Sequence, residues 1–280
     1  MRHVAAADGC RLAVHSAGDG SPVLCVPGGP GRAAEYLEDL GGLSRSRRLL
    51  VLDNRGTGAS ELPADRSSLQ FPRLADDLDD VRRELALSPA DVLGHSAGCP
   101  VVLLDAARRV DGVRRLVLVT PSGRPFGWTP DDLDGIRAGR ADEPWFAEAA
   151  EAHAALEHAN PRLRSELEKE TRPFWYGRWD DRAKAHAAGG DHQMSLRASA
   201  AFGPADGYDP VATRESLRVI RAEVLIVVGG RDALTGATVA ERFADVLPKA
   251  EIVAIDSAGH FPWVDEPESF REAVESFLAR

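Results

Sequence analysis

The feature that most constrains this chain is the stretch Asp91-Val-Leu-Gly-His-Ser-Ala-Gly-Cys-Pro-Val-Val-Leu-Leu104. A short apolar run, Val92-Leu93, enters Gly94-His-Ser96-Ala-Gly98, and a helix-like run leaves it. That is a G-x-S-x-G pattern with a strand before it and a helix after it. A serine on so sharp a turn has strained backbone angles, and the glycines two before and two after it remove side-chain clashes. The turn lifts the hydroxyl clear of the sheet. It also aims the N–H groups of the new helix at any negative charge that develops there. A glycine-lined structural turn is the alternative reading of the motif taken alone.

Buried-strand runs recur on both sides of this stretch. Arg11 to Ser16 alternates as an edge strand would, and Val23-Leu-Cys-Val26, Leu49-Leu-Val-Leu52 and Leu116-Val-Leu-Val119 are short apolar runs of the buried type. Val224-Leu-Ile-Val-Val228 and Ile252-Val-Ala-Ile255 continue the series. Helical periodicity lies between them. From Pro72 to Leu87 the residues Leu74, Leu78, Val81 and Leu85 recur at three and four, with Asp76, Asp77, Asp79 and Asp80 predicted as a solvated acidic face. Helices are also expected to about Arg109, from Thr238 to Val246, and from about Glu266 with Phe270, Val274 and Leu278 inward. Strands alternating with helices predict a mostly parallel, doubly wound α/β sheet.

The rhythm stops at Pro121. Up to Pro210 the chain carries scattered aromatics and many charges but no buried-strand run. Short helices are expected at Ala147–Leu156, Pro161–Lys169, Arg182–Ala188 and Ser195–Phe202. The segment lies between consecutive sheet strands, so it reads as a helical insertion: residues 121–210 form a cap on a core built from 1–120 and 211–280. Its aromatics Phe174, Trp175, Tyr176 and Trp179 either make a small core of their own or line a pocket.

Size and charge exclude other classes. At 280 residues the chain suits one large α/β domain with an insertion, and 44% hydrophobic with 28% charged residues is ordinary for a globular protein. A net charge of −10 argues against nucleic acid or an anionic membrane as partner. The densest basic run, Arg45-Ser-Arg-Arg48, reads as a solvated loop. Cys10, Cys25 and Cys99 are odd in number and lack metal-ligand spacing, which suits a reduced, cytoplasmic setting. The apolar run at the N-terminus is too short for a signal peptide, and no apolar stretch approaches a membrane span. The Gly-rich stretch Asp53-Asn-Arg-Gly-Thr-Gly-Ala-Ser60 lacks the Walker Lys-Ser/Thr and an intact G-x-G-x-x-G, so no nucleotide is expected. Asp53 and Arg55 there are expected to pin loops. Neither metal nor other cofactor is called for, and the oligomeric state is not legible.

Three polar residues follow buried strands: Ser96, Asp232 and His260. In an open α/β sheet such positions converge at the carboxyl ends of the strands. Serine is a poor nucleophile while protonated. His260 would take its proton during attack, and Asp232 would fix the ring's tautomer and stabilise the imidazolium. Asp256 is the rival acid, but it lies only four residues from His260 and would have to fold back. Pro27-Gly-Gly-Pro-Gly31 is either a flexible loop or an oxyanion loop in which an N–H of Gly28 or Gly29 joins that of Ala97.

Nearly the whole chain resembles the α/β-hydrolases, with their Ser, Asp, His order, and in detail their proline iminopeptidase branch. The family's H-G-G-P-G loop is similar to Pro27-Gly-Gly-Pro-Gly31, and its D-x-R-G-x-G-x-S loop to Asp53–Ser60. Its W-x-x-W-E stretch is similar to Trp175-Tyr-Gly-Arg-Trp179-Asp180. The resemblance implies an α/β-hydrolase fold with a helical cap, serine acyl chemistry without metal, and a small substrate or short peptide. It also implies that Asp180, with Trp175 and Trp179, holds the substrate's free ammonium group. Two positions differ: Pro27 stands for the family's histidine, and Gly94-His-Ser-Ala-Gly98 for G-G-S-W-G. The expected activity is cleavage of an N-terminal aminoacyl or prolyl amide, or of an ester, through acyl-Ser96. The alternatives are a carboxylesterase, lactonase or thioesterase for a secondary metabolite, and a non-catalytic ligand-binding protein on the same scaffold.

Overall fold

The computed structural model describes residues 1–203 and 208–280, with the side chains of all but Pro161 and Arg162. Eight strands form one sheet: β1 Arg2–Ala5, β2 Arg11–Ala17, β3 Ser21–Val26, β4 Arg47–Leu52, β5 Ala90–His95, β6 Val113–Val119, β7 Glu223–Gly229 and β8 Ala250–Ile255. Their spatial order is β1-β2-β4-β3-β5-β6-β7-β8. The pairs β1/β2 and β2/β4 are antiparallel, and every other pair is parallel. The Arg11–Ser16 run is therefore the second strand and not the edge. β1 covers it, a segment too short and irregular to stand out in the sequence.

Helices α1 (Phe71–Glu84), α2 (Gly98–Arg108), α9 (Thr238–Val246), α10 (Pro262–Asp265) and α11 (Pro267–Leu278) flank the sheet. Between β6 and β7 lie α3 (Leu133–Ala138), α4 (Phe146–Ala155), α5 (Pro161–Glu170), α6 (Asp181–Gln193), α7 (Leu196–Ala201) and α8 (Pro210–Ser216). Residues 204–207 of the expected cap lie outside the described residues. Among the described residues no helix is long and apolar enough to cross a membrane.

Strand periodicity makes two cores. Leu24, Val26, Leu50, Leu52, Val92, Leu116, Leu118, Val224 and Ile226 face α1, α2 and α9. Their neighbours Val23, Cys25, Leu49, Val51, Leu93, Val117, Val119, Leu225 and Val227 face α11 and the aromatic cluster of Tyr36, Tyr176, Phe261 and Trp263. Phe126, Leu217 and Ile220, all between β6 and β7, join the first core. The entry of the insertion and the segment that follows it thus pack with the sheet helices.

The acidic face of α1 corrects the sequence expectation. Asp77 is buried, and its carboxylate accepts from Arg55 Nε at 2.6 Å and from Nη2. Arg55 is fully enclosed and also reaches Asp8. Asp76 and Asp79 pair with Arg108, Arg109 and Arg82. Arg82 of α1 itself, with Arg55, Arg108 and Arg109 from outside it, converts a face that looks solvated into an ion-pair seam. The loop that carries Arg55 is anchored to α1 by this pair. Removing Asp77 leaves the enclosed Arg55 with only the partly exposed Asp8 as counter-charge, so Asp77→Ala should destabilise the fold by about 3 kcal/mol. A denaturant midpoint equal to wild type would contradict this.

Candidate active site

Chain order reverses at β3: the chain runs from β3 outward to β4 and returns to β5 on the other side of β3. Ligand crevices of open α/β sheets form at such switch points, beyond the carboxyl ends of the strands. Here the two ends are level, with Val26 paired to Gly94. β3 runs out into Pro27–Gly31, and β5 into Ser96.

Ser96 has φ 51°, the left-handed region that a side chain rarely occupies. Its N–H donates to Val119 O (2.9 Å), and its carbonyl accepts from Cys99 N (3.1 Å) and Ser122 N (3.2 Å). α2 begins immediately after it. A Cβ on Gly98 would fall 2.5 Å from Val26 O, so the β3 end can lie against the turn only because this position is glycine. Gly28 is held as closely. Its Cβ would meet His95 O at 2.5 Å, Ser96 Cβ at 2.8 Å and Ala97 N at 2.9 Å.

The backbone donors divide unequally. Gly28 N–H donates to Tyr36 Oη (2.7 Å), so of the two glycines predicted for an oxyanion pocket it is already engaged. Gly29 N–H and Ala97 N–H have no acceptor among the described residues. Unpaired backbone donors at the start of a helix suit an anionic oxygen.

His260 is buried, and its Nδ1 lies 3.0 Å from Asp232 Oδ2. Asp232 Oδ1 accepts from the N–H groups of Leu234 (2.8 Å) and Thr235 (3.1 Å), and Oδ2 also accepts from Thr235 Oγ1. Burial by itself would raise this carboxyl. The nearby His260 charge, its hydrogen bond and those of Thr235 and Leu234 outweigh burial and hold it below its ordinary value. The rival Asp256 is exposed. Ser96 Oγ makes no hydrogen bond to His260 or to any other described residue. Such bonds are often long until substrate binds. What brings the two together is backbone: His260 O accepts from His95 Nε2 and from Thr120 Oγ1, both at 3.0 Å.

The cap residues take other roles than the sequence suggested. Asp180 is an N-cap: its Oδ1 accepts from Ala183 N (3.0 Å), and its half-exposed side chain faces Arg178 (3.8 Å). Capping of α6 occupies Oδ1, and Oδ2 lies beside Arg178. Trp179 packs its ring on Tyr176 at 5.5 Å and on the second core. Trp175 contributes backbone, its carbonyl accepting from His260 N at 2.7 Å. Sequence reasoning missed Asp265, whose Oδ2 accepts from Gly177 N (2.9 Å) in the cap and Gly259 N (2.8 Å) beside His260. Within Pro262-Trp-Val-Asp-Glu266 nothing separates it from an ordinary surface acid of a helical turn.

The chain is similar to known proteins over nearly its whole length. Residues 21–267 match the model of the alpha/beta hydrolase fold family. The chain belongs to that family. It is 23% identical over 270 residues to the proline iminopeptidase of Heyndrickxia coagulans, covering 93% of this chain and 91% of that protein. It is 29% identical over 282 residues to the 2-hydroxymuconate semialdehyde hydrolase of Pseudomonas sp. (strain CF600), covering 98% and 92%. Among solved structures the esterase RhEst1 from Rhodococcus sp. ECU1013 superposes with a TM-score of 0.76 at 20% identity, covering 99% and 98%. That last likeness is one of fold. Membership in this hydrolase family makes an enzyme the expectation, with relatives that include proline iminopeptidases, other hydrolases and esterases.

Two outcomes follow from the cap contacts. Asp180→Ala should cost about 1 kcal/mol of stability as a lost N-cap. It should also leave KM for substrates with a free α-amine unchanged, and a large rise in KM on steady-state assay would restore the anchor role. Asp265 carries a pH signature. Burial raises its carboxyl to about 6, against the pull of the Gly177 and Gly259 N–H groups. Between an unfolded value of about 4 and this folded value, the folded state holds more protons, so the group lowers stability as pH rises across that window. Asp265→Asn keeps an oxygen for both N–H groups and cannot ionise. Its stability relative to wild type should therefore climb from about pH 4 to about pH 6. Urea titrations at both ends of the window check this, and a pH-independent difference would refute it.

Proposed function

We propose that the protein is a serine hydrolase that cleaves an ester or amide of a small substrate through an acyl-Ser96 intermediate. The observation that carries this reading is the set at the switch point: Ser96 strained onto the turn, His260 held by Asp232, and two backbone N–H groups free beside them. In the first half-reaction Ser96 Oγ attacks the carbonyl carbon while His260 Nε2 takes its proton. The carbonyl oxygen, now negative, accepts from Gly29 N–H and Ala97 N–H. His260 then gives the proton to the leaving oxygen or nitrogen. Water repeats the sequence on the acyl-enzyme, freeing the acid and restoring Ser96. Asp232 stays ionised and holds Nδ1–H throughout.

For substrate class the reading favours an ester-type substrate without a required amine, because the residue offered as ammonium anchor caps a helix. An aminopeptidase-type enzyme is the second reading. It is supported by the loops at Pro27–Gly31 and Asp53–Ser60 and by the similarity to a proline iminopeptidase.

The test is a panel of p-nitrophenyl esters beside prolyl and alanyl p-nitroanilides, each anilide with a free and an acetylated amine. Ester turnover that falls by about 10⁴-fold or more in Ser96→Ala is expected. Cleavage confined to free-amine anilides would transfer the protein to the second reading. Turnover undiminished in Ser96→Ala would remove the serine mechanism altogether.

A further inference from the structure

Behind Ser96 lies a set of buried polar groups that the mechanism above does not use: Tyr36, His95, Tyr176 and His186. They form two Tyr–His pairs of the same sense. Tyr176 Oη lies 2.8 Å from His186 Nδ1, and His186 Nε2 lies 2.8 Å from the carbonyl of Tyr36. Tyr36 Oη lies 2.7 Å from His95 Nδ1, and His95 Nε2 lies 3.0 Å from the carbonyl of His260.

Proton placement along this chain is forced. Gly28 N–H can only donate, so it occupies a lone pair of Tyr36 Oη. The His260 carbonyl can only accept, so the ring's proton is on Nε2 facing it, and the bare Nδ1 then accepts the Tyr36 phenol proton. The Tyr36 carbonyl likewise can only accept, which puts the His186 proton on Nε2. A second proton on His95 would leave the Tyr36 hydroxyl proton without an acceptor. Burial, and then the neighbouring His260, also push His95 well below the usual histidine range. Burial likewise lowers His186 to about 4.

We infer that Tyr36 and His95 are positioning residues. Together they form a directed hydrogen-bond chain that holds the Pro27–Gly28 peptide, one unit before the Gly29 donor, and the His260 carbonyl in one register around Ser96. The inference rests on the serine-hydrolase reading and extends it: the oxyanion donors and the general base are placed by one device. Packing alone does not call for these polar atoms. Tyr36 sits among the rings of His95, His186, Phe261 and Trp263, where a phenyl ring would fill the same space. A buried hydroxyl costs free energy unless it is bonded, and this one is bonded twice, to the oxyanion loop and to the residue before the nucleophile.

The test joins two measurements. In wild-type protein with ¹⁵N-labelled histidine, NMR should find His95 neutral and protonated at Nε2, its resonance assigned by its absence from His95→Gln. Tyr36→Phe keeps the ring and removes the hydroxyl. It should lower kcat for p-nitrophenyl acetate by roughly 10- to 100-fold with KM within about threefold, the size expected for misplaced reacting groups. Inhibition by phenylboronic acid, whose tetrahedral adduct needs the oxyanion donors, should weaken in step with kcat. Inhibition by acetate, a ground-state ligand, should not. His95 protonated at Nδ1, or a Tyr36→Phe enzyme with full kcat and unchanged boronate affinity beside an inactive Ser96→Ala, overturns the inference alone. An active Ser96→Ala overturns the serine reading and the inference with it. The NMR result needs neither turnover nor a folded variant at Tyr36.

Discussion

The backbone of Ser96 is held at φ 51°, and much of the architecture serves to keep it there. A residue in that region costs about 1–3 kcal/mol unless its surroundings over-determine it. Here they do. Its N–H and C=O are bonded to β6 and to the segment just after it, and α2 springs from it directly. The β3 end crosses so closely that only glycines at 28 and 98 clear it. The flanking strands bury both faces in apolar side chains, so the turn cannot relax without opening two cores at once. Thr120, which follows β6 and donates to the His260 carbonyl, is left-handed as well (φ 43°), so the strain around the turn is shared between two strand ends.

The cap is part of the same frame. Its 175–177 segment holds the His260 loop through Trp175 O, and Asp265 ties Gly177 to Gly259. Arg140 Nη1 and Arg231 Nη1 donate to the carbonyls of Tyr176 and Gly177, each at 3.0 Å. Apart from the Arg140 bond, which lies within the insertion, these bonds join the insertion to the sheet loops, so the segment behaves as an extension of the core. A cap that moves to admit substrate would have to move elsewhere, since displacing this stretch would displace His260. On the serine-hydrolase reading, the placement of the base then depends on a stretch of the cap.

The sheet was legible in the sequence because its causes are local. Val23–Val26, Leu116–Val119 and Val224–Val228 are apolar on both faces, and that demands burial between two helical layers. The positions of Ser96, Asp232 and His260 just beyond such runs were legible for the same reason. What could not be read depends on which distant groups meet. Nothing near Tyr36 in the sequence says that its hydroxyl will bridge Gly28 and His95. Asp77 looks like its solvated neighbours until Arg55 arrives from another loop. Asp180 shows the opposite hazard. The Trp-x-x-x-Trp-acid stretch here does not tell a pocket acid from a helix cap, because both roles favour a short carboxylate.

The measurement that bears most directly on this account is intact-protein mass spectrometry after exposure to a fluorophosphonate. The reagent bonds a serine oxygen only where that oxygen is activated, and it needs no knowledge of the natural substrate. The account predicts a single adduct that peptide mapping places on Ser96. That adduct should be absent from Ser96→Ala and should form far more slowly in His260→Ala. A folded wild-type protein that takes up no label, or takes it up elsewhere, would contradict the assignment of Ser96 as the nucleophile.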